Sequence, residues 1–291
     1  MWRADNKAKI YPMNLKNKIE RSIDLIRKGE KLALAMNPDG YFVGFSGGKD
    51  SQVLLELVKM AGVKYKAYYS VTTNDPPENV YFIRDHYPEV IFLHPKENFF
   101  KLIEKKGMPI QTIRYCCEIL KEQGGIGQVV LTGVRAEEST KRSKYNEISI
   151  ISRRKEHQDR RKKHTLEKIE ANEHRCIKGK DKLMIYPLLK WTQLEIWEFI
   201  KQYKLPLNPC YKTVGRVGCM FCPFAKAKEI NMYEKKYPKV KETILKSLDV
   251  FIQHNNSDFR SGIECYEWWK SKKSVKKFKA ENLQLKLDLY E

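Results

Sequence analysis

The sequence has no long hydrophobic run. No uninterrupted apolar segment approaches the roughly 18–20 residues that a membrane-spanning helix needs, and the first residues, Met-Trp-Arg-Ala-Asp-Asn-Lys, lack the apolar stretch of a signal peptide. These absences predict a cytoplasmic protein with no membrane partner. At 291 residues and 42% hydrophobic content, the chain is long enough for one large domain plus a smaller appendage.

Histidine and acidic residues are both scarce. The six histidines are scattered without the spacing of metal ligands, so we assign them to surface or core roles. The 36 acidic residues are outnumbered by 56 basic ones, which leaves a net charge of +20. Such a charge attracts anions, so DNA or tRNA is a candidate partner. A generally basic host proteome would explain the same charge.

The cysteine count is odd, seven in all, which argues against a disulfide framework and favours metal or thiol chemistry. Cys219 and Cys222 have the spacing at which two thiolates grip one metal or cluster. Cys210 lies nine residues before Cys219, and the adjacent pair Cys116 and Cys117 lies about a hundred residues upstream. Thiolate ligands fit zinc or an iron–sulfur cluster, and the residues alone leave both open. Buried thiols without a metal are the remaining alternative.

Two common phosphate-binding patterns, the nucleoside-triphosphatase loop and the dinucleotide glycine motif, are missing. Instead, an apolar run at 41–45 leads through a short polar loop into apolar positions at helical spacing. The loop consists of Ser46, Gly47, Gly48, Lys49, Asp50 and Ser51. Paired glycines permit a sharp turn close to a ligand, and a strand–loop–helix turn aims N–H groups at phosphate. We predict that residues 46–51 bind a mononucleotide, with simple turn glycines as the alternative.

Strands and helices alternate along the chain. The pattern predicts strands at 41–46, 64–71, 90–94, 127–133 and 183–187, and helices at 14–36, 50–61, 77–86, 97–106, 114–123 and 192–203. This repetition implies an α/β fold with a doubly wound, mainly parallel five-stranded sheet. Ligands on such sheets bind beyond the carboxyl ends of the strands.

We predict four regions along the chain. They are an N-terminal helix in 1–39, a nucleotide-binding domain in 40–203, a cysteine-rich module in 204–226 and a helical C-terminal region in 227–291. Residues 152–182 interrupt the second region with twelve Lys or Arg against six Asp or Glu. This segment is either a solvated insertion or an arm that contacts nucleic acid.

The loop at 46–51 resembles the pyrophosphate loop, or PP-loop, of the adenine-nucleotide alpha-hydrolase superfamily, which splits ATP between its α and β phosphates. Other stretches resemble the phosphoadenosine phosphosulfate reductase family. These are Arg114–Cys117, Leu131–Ser139 with Arg142, Tyr186–Trp197 and Leu205–Cys219. The resemblance covers roughly residues 40–225 and implies the superfamily's α/β fold with adenine nucleotide as ligand.

The resemblance also implies a metal cluster. In adenylyl-sulfate reductases of this family, a tandem Cys-Cys and a later Cys-x-x-Cys hold a 4Fe–4S cluster, which here would use Cys116, Cys117, Cys219 and Cys222. The cysteine pattern of relatives that sulfurate nucleic acids resembles a second possible ligand set, which here would be Cys116, Cys210, Cys219 and Cys222. We favour the second set, because Cys210 otherwise has no reason to lie so near. An iron–sulfur cluster is the expected cofactor, and zinc is the alternative.

The chain departs from the reductases at two places. Reductases of phosphosulfate usually have a degraded loop, whereas residues 46–51 are intact and keep Asp50, a carboxylate that would recruit Mg²⁺ beside bound phosphates. Reductases also use a C-terminal Glu-Cys-Gly-Leu-His segment as nucleophile. This chain keeps only Glu264 and Cys265, followed by aromatic residues, which predicts a thiol packed in a helix.

Further candidates surround the predicted nucleotide. Arg135 and Arg142 follow the carboxyl end of a strand, where guanidinium groups clamp phosphate or sulfate. Asp75 follows the second strand and is a candidate for metal or ribose binding, although a position before two prolines equally suits a helix N-cap. We predict Lys49, Asp50 and Arg135 as the catalytic residues.

The resemblance finally implies an activity. We expect an enzyme of the DNA-phosphorothioation type that binds ATP and Mg²⁺, adenylates an acceptor, releases pyrophosphate and supports sulfur transfer through the cluster, with a sulfur-donor protein as partner. The first alternative is a phosphoadenosine phosphosulfate or adenylyl-sulfate reductase that forms sulfite. The second is a non-catalytic component that binds nucleic acid.

Overall fold

The computed structural model describes residues 15–151, 166, 181–255 and 257–288, with side chains up to residue 281. Most of the basic segment 152–182 therefore lies outside the described residues. The chain forms two compact units. The first contains the residues up to Tyr69, Ile83–Ile91 and Gly125–Asn208, and the second contains Ser70–Phe82, Phe92–Gly124 and the residues from Pro209 onward. The units interleave along the chain, and the four regions named from the sequence stay a prediction.

Six strands form one sheet. They are β1 (Tyr41–Gly44), β2 (Tyr65–Ser70), β3 (Ile91–Leu93), β4 (Val129–Leu131), β5 (Ile148–Ile151) and β6 (Lys182–Ile185), in the order β3-β2-β1-β4-β6-β5. β1 runs parallel to β2 and β4, β4 runs parallel to β6, and β5 pairs with β6 in antiparallel register. The predicted α/β fold with a mainly parallel sheet is confirmed.

The number of strands corrects the sequence-based prediction, which had five. The additional strand, β5, has only four residues, and its partner β6 lies beyond the basic segment. A short apolar run becomes a strand here because a distant part of the chain supplies its hydrogen-bond partner. Local pattern does not report such a pairing.

The helices of the described residues are α1 (Leu15–Lys28), α2 (Glu30–Met36), α3 (Lys49–Ala61), α4 (Pro77–His86), α5 (Phe99–Lys106), α6 (Tyr115–Leu120), α7 (Gln193–Gln202), α8 (Cys210–Thr213), α9 (Ala227–Lys236), α10 (Pro238–His254), α11 (Gly262–Ser271) and α12 (Val275–Asp288). Two 3₁₀ turns span Ala136–Glu138 and Arg142–Lys144. In the part of the chain that is described, no helix has the length and apolar character needed to cross a membrane.

The helix predicted at 14–36 is divided at Gly29. A Cβ atom at this position would lie 2.5 Å from Tyr41 Oη and 2.9 Å from Ile185 Cδ1. Tyr41 Oη itself donates a hydrogen bond to the carbonyl of Ile26 at 2.5 Å. The close approach of the Tyr41 and Ile185 side chains therefore favours glycine at the position where the two helices meet.

Each unit has its own core. In the first, α3 packs against α1 and α7, and α2 packs against β1 and β4. In the second, α10 packs against α5 and α11. The second core includes fully or almost fully buried Phe99, Phe221, Ile244, Tyr266 and Trp269.

Candidate functional site

The phosphate loop, residues 46–51, joins the carboxyl end of β1 to the start of α3. Gly47 has a φ of +73°, in the left-handed region that glycine adopts without strain. Ser51 Oγ accepts a hydrogen bond from the Ser46 N–H at 3.1 Å and donates one to the Gly48 carbonyl at 2.8 Å. One hydroxyl therefore ties the first residue of the loop to its last.

Two buried amide side chains hold the Gly47 carbonyl. Gln52 Nε2 donates to it at 3.1 Å and Asn208 Nδ2 at 2.9 Å. Gln52 is itself fixed by Tyr87 Oη, which donates to its Oε1 at 3.0 Å. Sequence reasoning missed both amides. Asn208 lies in a stretch that resembles the reductase family, whereas Gln52 carries no signal beyond its place in a helix.

Asp50 is held by two cations. Arg135 Nε donates to Asp50 Oδ1 at 2.5 Å, and Lys49 Nζ donates to Oδ2 at 2.7 Å. The side chain of Arg135 is only 4% exposed. Burial lowers the pKa of Arg135, but the carboxylates of Asp50, Glu137 and Glu138 together outweigh this effect and raise it above the ordinary value. The guanidinium therefore stays charged. The three predicted catalytic residues lie together.

The topology explains this meeting of distant residues. β1 and β4 are adjacent and parallel, so the segments that follow them lie at the same edge of the sheet. A Cβ atom on Gly133, two residues after β4, would lie 2.9 Å from the carbonyl carbon and oxygen of Asp50. Only glycine permits this approach. Gly133 was part of the resemblance, but its packing role was not predicted.

Glu137 holds the other side of the Arg135 guanidinium. Arg135 Nη1 donates to Glu137 Oε2 at 2.7 Å, and the same oxygen accepts the Gln193 N–H at 2.6 Å. Gln193 is the first residue of α7, where the helix dipole favours a carboxylate. Glu137 thus joins Arg135 to a helix N-terminus, a contact that the sequence did not reveal.

Arg142 lies apart from these contacts. Its side chain is 38% exposed, and its Nη1 donates to Glu138. Glu138 Oε2 also accepts the backbone N–H of Arg135 at 2.9 Å. Arg142 is therefore linked to Arg135 through Glu138, and its predicted contact with a ligand stays a prediction.

A second group of functional candidates lies in the second unit. We call it the thiol region and define it as Cys116, Cys117, Cys210, Cys219 and Cys222. Cys116 and Cys117 belong to α6, Cys210 begins α8, and the last two lie between α8 and α9. All six cysteines for which the structure gives a state, including Cys265, are thiols rather than disulfides.

The segment after β2 positions the Cys-x-x-Cys motif. The Met220 N–H donates to the Asn74 carbonyl at 2.9 Å, and the Phe221 N–H donates to Asn74 Oδ1 at 3.4 Å. Thr72 Oγ1 lies 3.5 Å from Cys219 Sγ. Neither Thr72 nor Asn74 was singled out from the sequence, because both contacts join residues about 147 positions apart.

A lysine and a carboxylate act on Cys219. Burial raises the pKa of Cys219, and the positive charge of nearby Lys121 opposes that rise. In return, Cys219 raises the pKa of Lys121. Asp75 raises both values, and its Oδ2 accepts the Thr72 N–H at 2.6 Å. Asp75 therefore belongs to the same unit as the thiols. Its predicted role as a metal or ribose ligand stays a prediction.

Cys116 and Cys117 form a coupled pair. The hydrogen bond between them raises the pKa of Cys116 and lowers that of Cys117, and Lys121 lowers the pKa of Cys117 further. Cys117, Cys219 and Cys222 all raise the pKa of Cys116 through their negative charge. Four thiols thus act on one another electrostatically.

Cys210 has different neighbours. It is 2% exposed. Burial and, to a lesser extent, the charge of Glu78 raise the pKa of Cys210 to about 11, and the charge of Lys236 opposes this rise. Among the residues that the structure describes, no three His, Cys, Asp or Glu side chains converge in an arrangement that could hold a metal ion. The thiol region has the donor chemistry for zinc or a cluster, and both predicted ligand sets stay open.

Cys265 is buried in α11. It is 2% exposed, and burial raises its pKa to about 12. A reactive thiol needs an accessible setting that stabilises thiolate. The prediction of a packed helix thiol is confirmed.

Several known proteins are similar to this chain. Two uncharacterized proteins of Methanocaldococcus jannaschii match it, one at 28% identity over 228 residues (74% of this chain, 42% of that protein) and one at 24% over 244 residues (80% and 54%). The chain spans about half the length of the curated relatives it matches.

Among solved structures, similarity extends to FMN adenylyltransferase of Candida glabrata (13% identity, TM-score 0.47, 75% of this chain and 65% of that one). It extends to phosphoadenylyl-sulfate reductase of Candida auris (14%, 0.43, 74% and 98%). A further match is the U34-tRNA thiolase of Methanococcus maripaludis with its 4Fe–4S cluster (15%, 0.44, 88% and 84%).

The family assignment rests on a match to a family model. The family model of the phosphoadenosine phosphosulfate reductase domain aligns with residues 40–225, which is more than half of the sequence and includes the phosphate loop, Arg135 and the Cys-x-x-Cys motif. The chain belongs to the phosphoadenosine phosphosulfate reductase domain family.

Proposed function

We propose that this chain is a PP-loop ATP pyrophosphatase that activates an oxygen of an acceptor as its adenylate and supports replacement of that oxygen by sulfur. The observation that carries the proposal is the intact phosphate loop. Its closure by Ser51, its anchoring by Gln52 and Asn208, and the Asp50–Arg135 ion pair form a complete set of contacts. A degraded loop would have no need of them.

The first step uses the first unit. The N–H groups of the loop and the start of α3 would bind the phosphates of ATP. The acceptor oxygen attacks the α phosphorus, the bond from this phosphorus to the β-phosphate oxygen breaks, and pyrophosphate leaves. Lys49 and Arg135 would offset the negative charge that develops on the leaving group. Asp50 would hold Mg²⁺, which supplies further neutralisation of that charge.

The second step replaces the activated oxygen. A sulfur nucleophile at the oxidation level of sulfide, brought by a donor protein, attacks the atom that carries the adenylated oxygen, and the bond to that oxygen breaks as AMP leaves. Activation is needed because an unactivated oxygen is a far poorer leaving group than AMP.

The thiol region supplies candidates for handling sulfur. Cys116, Cys219 and Cys222, with either Cys117 or Cys210, would hold a 4Fe–4S cluster, and zinc is the alternative. When bound, the cluster would supply or route the sulfur nucleophile. The set with Cys210 is the one that the sequence favours, and the set with Cys117 is its alternative.

The acceptor that fits the charge is a nucleic acid. A net charge of +20 exceeds what a nucleotide substrate requires and favours a polyanion. DNA, as in phosphorothioation, and tRNA are both acceptors of this class, and each bears oxygens that sulfur can replace.

The competing activity is reduction of phosphosulfate to sulfite, which family membership supports. It needs a thiol nucleophile, and Cys265, the only cysteine in a reductase-like Glu-Cys context, is buried with a raised pKa. A non-catalytic nucleic-acid-binding role would leave the contacts of the phosphate loop without a purpose.

A paired assay tests the proposal. Anaerobically purified protein is incubated with ATP, Mg²⁺ and sulfide as the sulfur nucleophile, with and without single-stranded DNA or tRNA, and AMP and pyrophosphate are measured. A parallel reaction with phosphoadenosine phosphosulfate and a thiol reductant measures sulfite. We expect AMP and pyrophosphate in equal amounts, increased by the acceptor, and no sulfite. Sulfite release without any consumption of ATP would replace the proposal with the reductase.

A further inference from the structure

The second unit contains a cavity of about 290 Å³ that the proposed chemistry does not use. Its size is near the lower end of the roughly 300–1,000 Å³ range of small-molecule pockets. The residues that define it are Gln111, Thr112, Pro223, Trp268, Trp269 and Lys272. We call it the tryptophan pocket.

Both indole rings of the tryptophan pocket are held in place from behind. Trp268 Nε1 donates to the Lys273 carbonyl at 3.0 Å, and Trp269 Nε1 donates to the Pro109 carbonyl at 2.8 Å. Phe259 packs against Trp268, with ring centroids 5.0 Å apart. Trp269 is only 2% exposed, so the half-buried ring of Trp268 supplies the aromatic surface that a ligand can contact. Because the Trp268 N–H already donates within the protein, this surface is offered at low conformational cost.

Lys272 adds a positive charge to this aromatic wall. Its Nζ lies 4.6 Å from the ring centroid of Trp269 and donates to the Pro223 carbonyl at 2.8 Å. Among the described side chains, no carboxylate is paired with Lys272. The ammonium is therefore available to an anion.

The backbone of Lys272 gives an independent reason to assign it a role. This residue ends α11 with φ +59° and ψ +14°, the left-handed conformation in which glycine is strongly preferred. A lysine at such a position is strained relative to glycine. Strain of this kind points to a functional side chain.

The tryptophan pocket adjoins the thiol region through the chain itself. Pro223 directly follows Cys222, and its carbonyl accepts hydrogen bonds from Gln111 Nε2 at 3.2 Å as well as from Lys272. Thr112 also lines a second cavity of about 360 Å³, which is bordered by Cys117. A group bound in the tryptophan pocket would therefore lie beside the predicted sulfur-handling residues.

We infer that the tryptophan pocket binds one unpaired nucleotide of the acceptor strand, with its base against the ring of Trp268 and its phosphate on Lys272. The inference rests on the proposed nucleic-acid acceptor. Aromatic surface alone would suit any apolar group, and a lysine alone would suit any anion, but a nucleotide is both. The exposed Lys276 and Lys277, at the start of α12, add charge for the neighbouring backbone.

The test measures binding of short fluorescein-labelled single-stranded RNA and DNA to the full chain by anisotropy, in versions with normal bases and with abasic positions. We expect the wild type to bind the version with bases roughly 10- to 100-fold more tightly, as base stacking on an aromatic side chain requires. Trp268→Leu should remove this difference. Comparison of the RNA and DNA affinities shows which of the two nucleic acids is the preferred acceptor.

Lys272→Gly removes the positive charge without destabilising the fold, because glycine suits the left-handed backbone. This variant should melt no lower than the wild type, bind more weakly, and show a salt dependence reduced by about one phosphate contact. Lys276→Ala removes an equal charge outside the tryptophan pocket and should leave the preference for bases intact.

Two results would overturn the inference and are distinguishable. If Trp268→Leu keeps the full preference for bases and Lys272→Gly binds as tightly as the wild type, the nucleotide does not bind here, while the proposed function stands. If the wild type binds no single strand even at low ionic strength, both the tryptophan pocket assignment and the nucleic-acid acceptor fail. Formation of AMP from ATP then shows separately whether the pyrophosphatase activity survives.

Discussion

The phosphate loop and the thiol region differ in how far apart in sequence their working parts lie. Six consecutive residues form the loop, and Ser46 is tied to Ser51 by hydrogen bonds within it. The thiol region joins α6 to residues about a hundred positions later, and Asn74 holds the Cys-x-x-Cys backbone across 147 positions.

This difference has a consequence for what a substitution does. In the loop, the chemistry depends on backbone shape, so a change acts through local geometry. In the thiol region, it depends on distant segments staying together, so a change acts through which thiols meet. The following predictions separate the two regions, from the largest expected effect to the smallest.

Asp50→Asn should abolish the chemistry of the first unit. Removing one charged group aimed at the reacting phosphates costs about 10²–10³-fold in turnover, and loss of the Asp50 charge beside the almost fully buried Arg135 side chain should cost about 1–3 kcal/mol of stability. AMP formation and thermal unfolding measure the two effects. Asp39→Asn, which breaks an exposed ion pair with Lys66, is the matched control and should change neither by much. Unaltered AMP production in Asp50→Asn would contradict the pyrophosphatase.

The thiol region should carry about four irons per chain after anaerobic purification. Cys219→Ser and Cys222→Ser should each lose most of this iron and the brown colour. The set that the sequence favoured predicts that Cys210→Ser loses it too, whereas Cys117→Ser keeps it.

Iron analysis and visible absorption decide between the ligand sets. Loss of iron in Cys210→Ser with retention in Cys117→Ser would select the set that the sequence favoured. One zinc per chain in a colourless protein, purified without air, would make the site a structural zinc site.

Gly133→Ala should impair the loop without touching its own residues. The new methyl group would meet the Asp50 backbone at 2.9 Å, so Asp50 must shift. Overpacking of this kind costs about 1–3 kcal/mol, and a displacement near 1 Å reduces turnover by up to about 100-fold. Gly62→Ala is the control. Gly62 has a φ of +69° but open space around it, so alanine there should lower stability by about 1 kcal/mol and leave AMP formation unchanged.

Cys265→Ser should have the smallest effect on activity. Burial raises the pKa of this thiol from 9.0 to about 12, so it stays protonated in the folded protein while the unfolded chain ionises above pH 9. The contribution of the protonated Cys265 thiol to the free energy of unfolding is fully present below pH 9. It is lost as the pH rises towards 12, at up to about 1.4 kcal/mol per pH unit.

Denaturant unfolding at pH 8 and at pH 10.5 checks the sign, since the variant should lose less stability between the two than the wild type. Its AMP formation should stay close to normal. If Cys265→Ser eliminated turnover while iron content and ATP binding survived, the protein would be a thiol-dependent reductase.

Much of the phosphate loop could be read from the sequence. An apolar strand, paired glycines and helical spacing are local signals, and they predicted the placement of residues 46–51 at the turn from β1 into the first residues of α3. The pairing of Asp50 with Arg135 was predicted only as a shared location, because the order of β1 and β4 in the sheet decides it. Gln52, Glu137 and Gly133 were not predicted, since their importance lies in contacts with residues far away in the chain.

The sequence by itself determined the elements that depend on near neighbours: alternating strands and helices, the phosphate loop, and the close spacing of Cys219 and Cys222. Hydrogen bonds and apolar periodicity act over a few residues, so a short window contains their cause. Only the tertiary structure decided the break at Gly29, the sixth strand β5, and the neighbours of Cys210. Each of these depends on which distant segments pack together, and packing is a property of the whole fold.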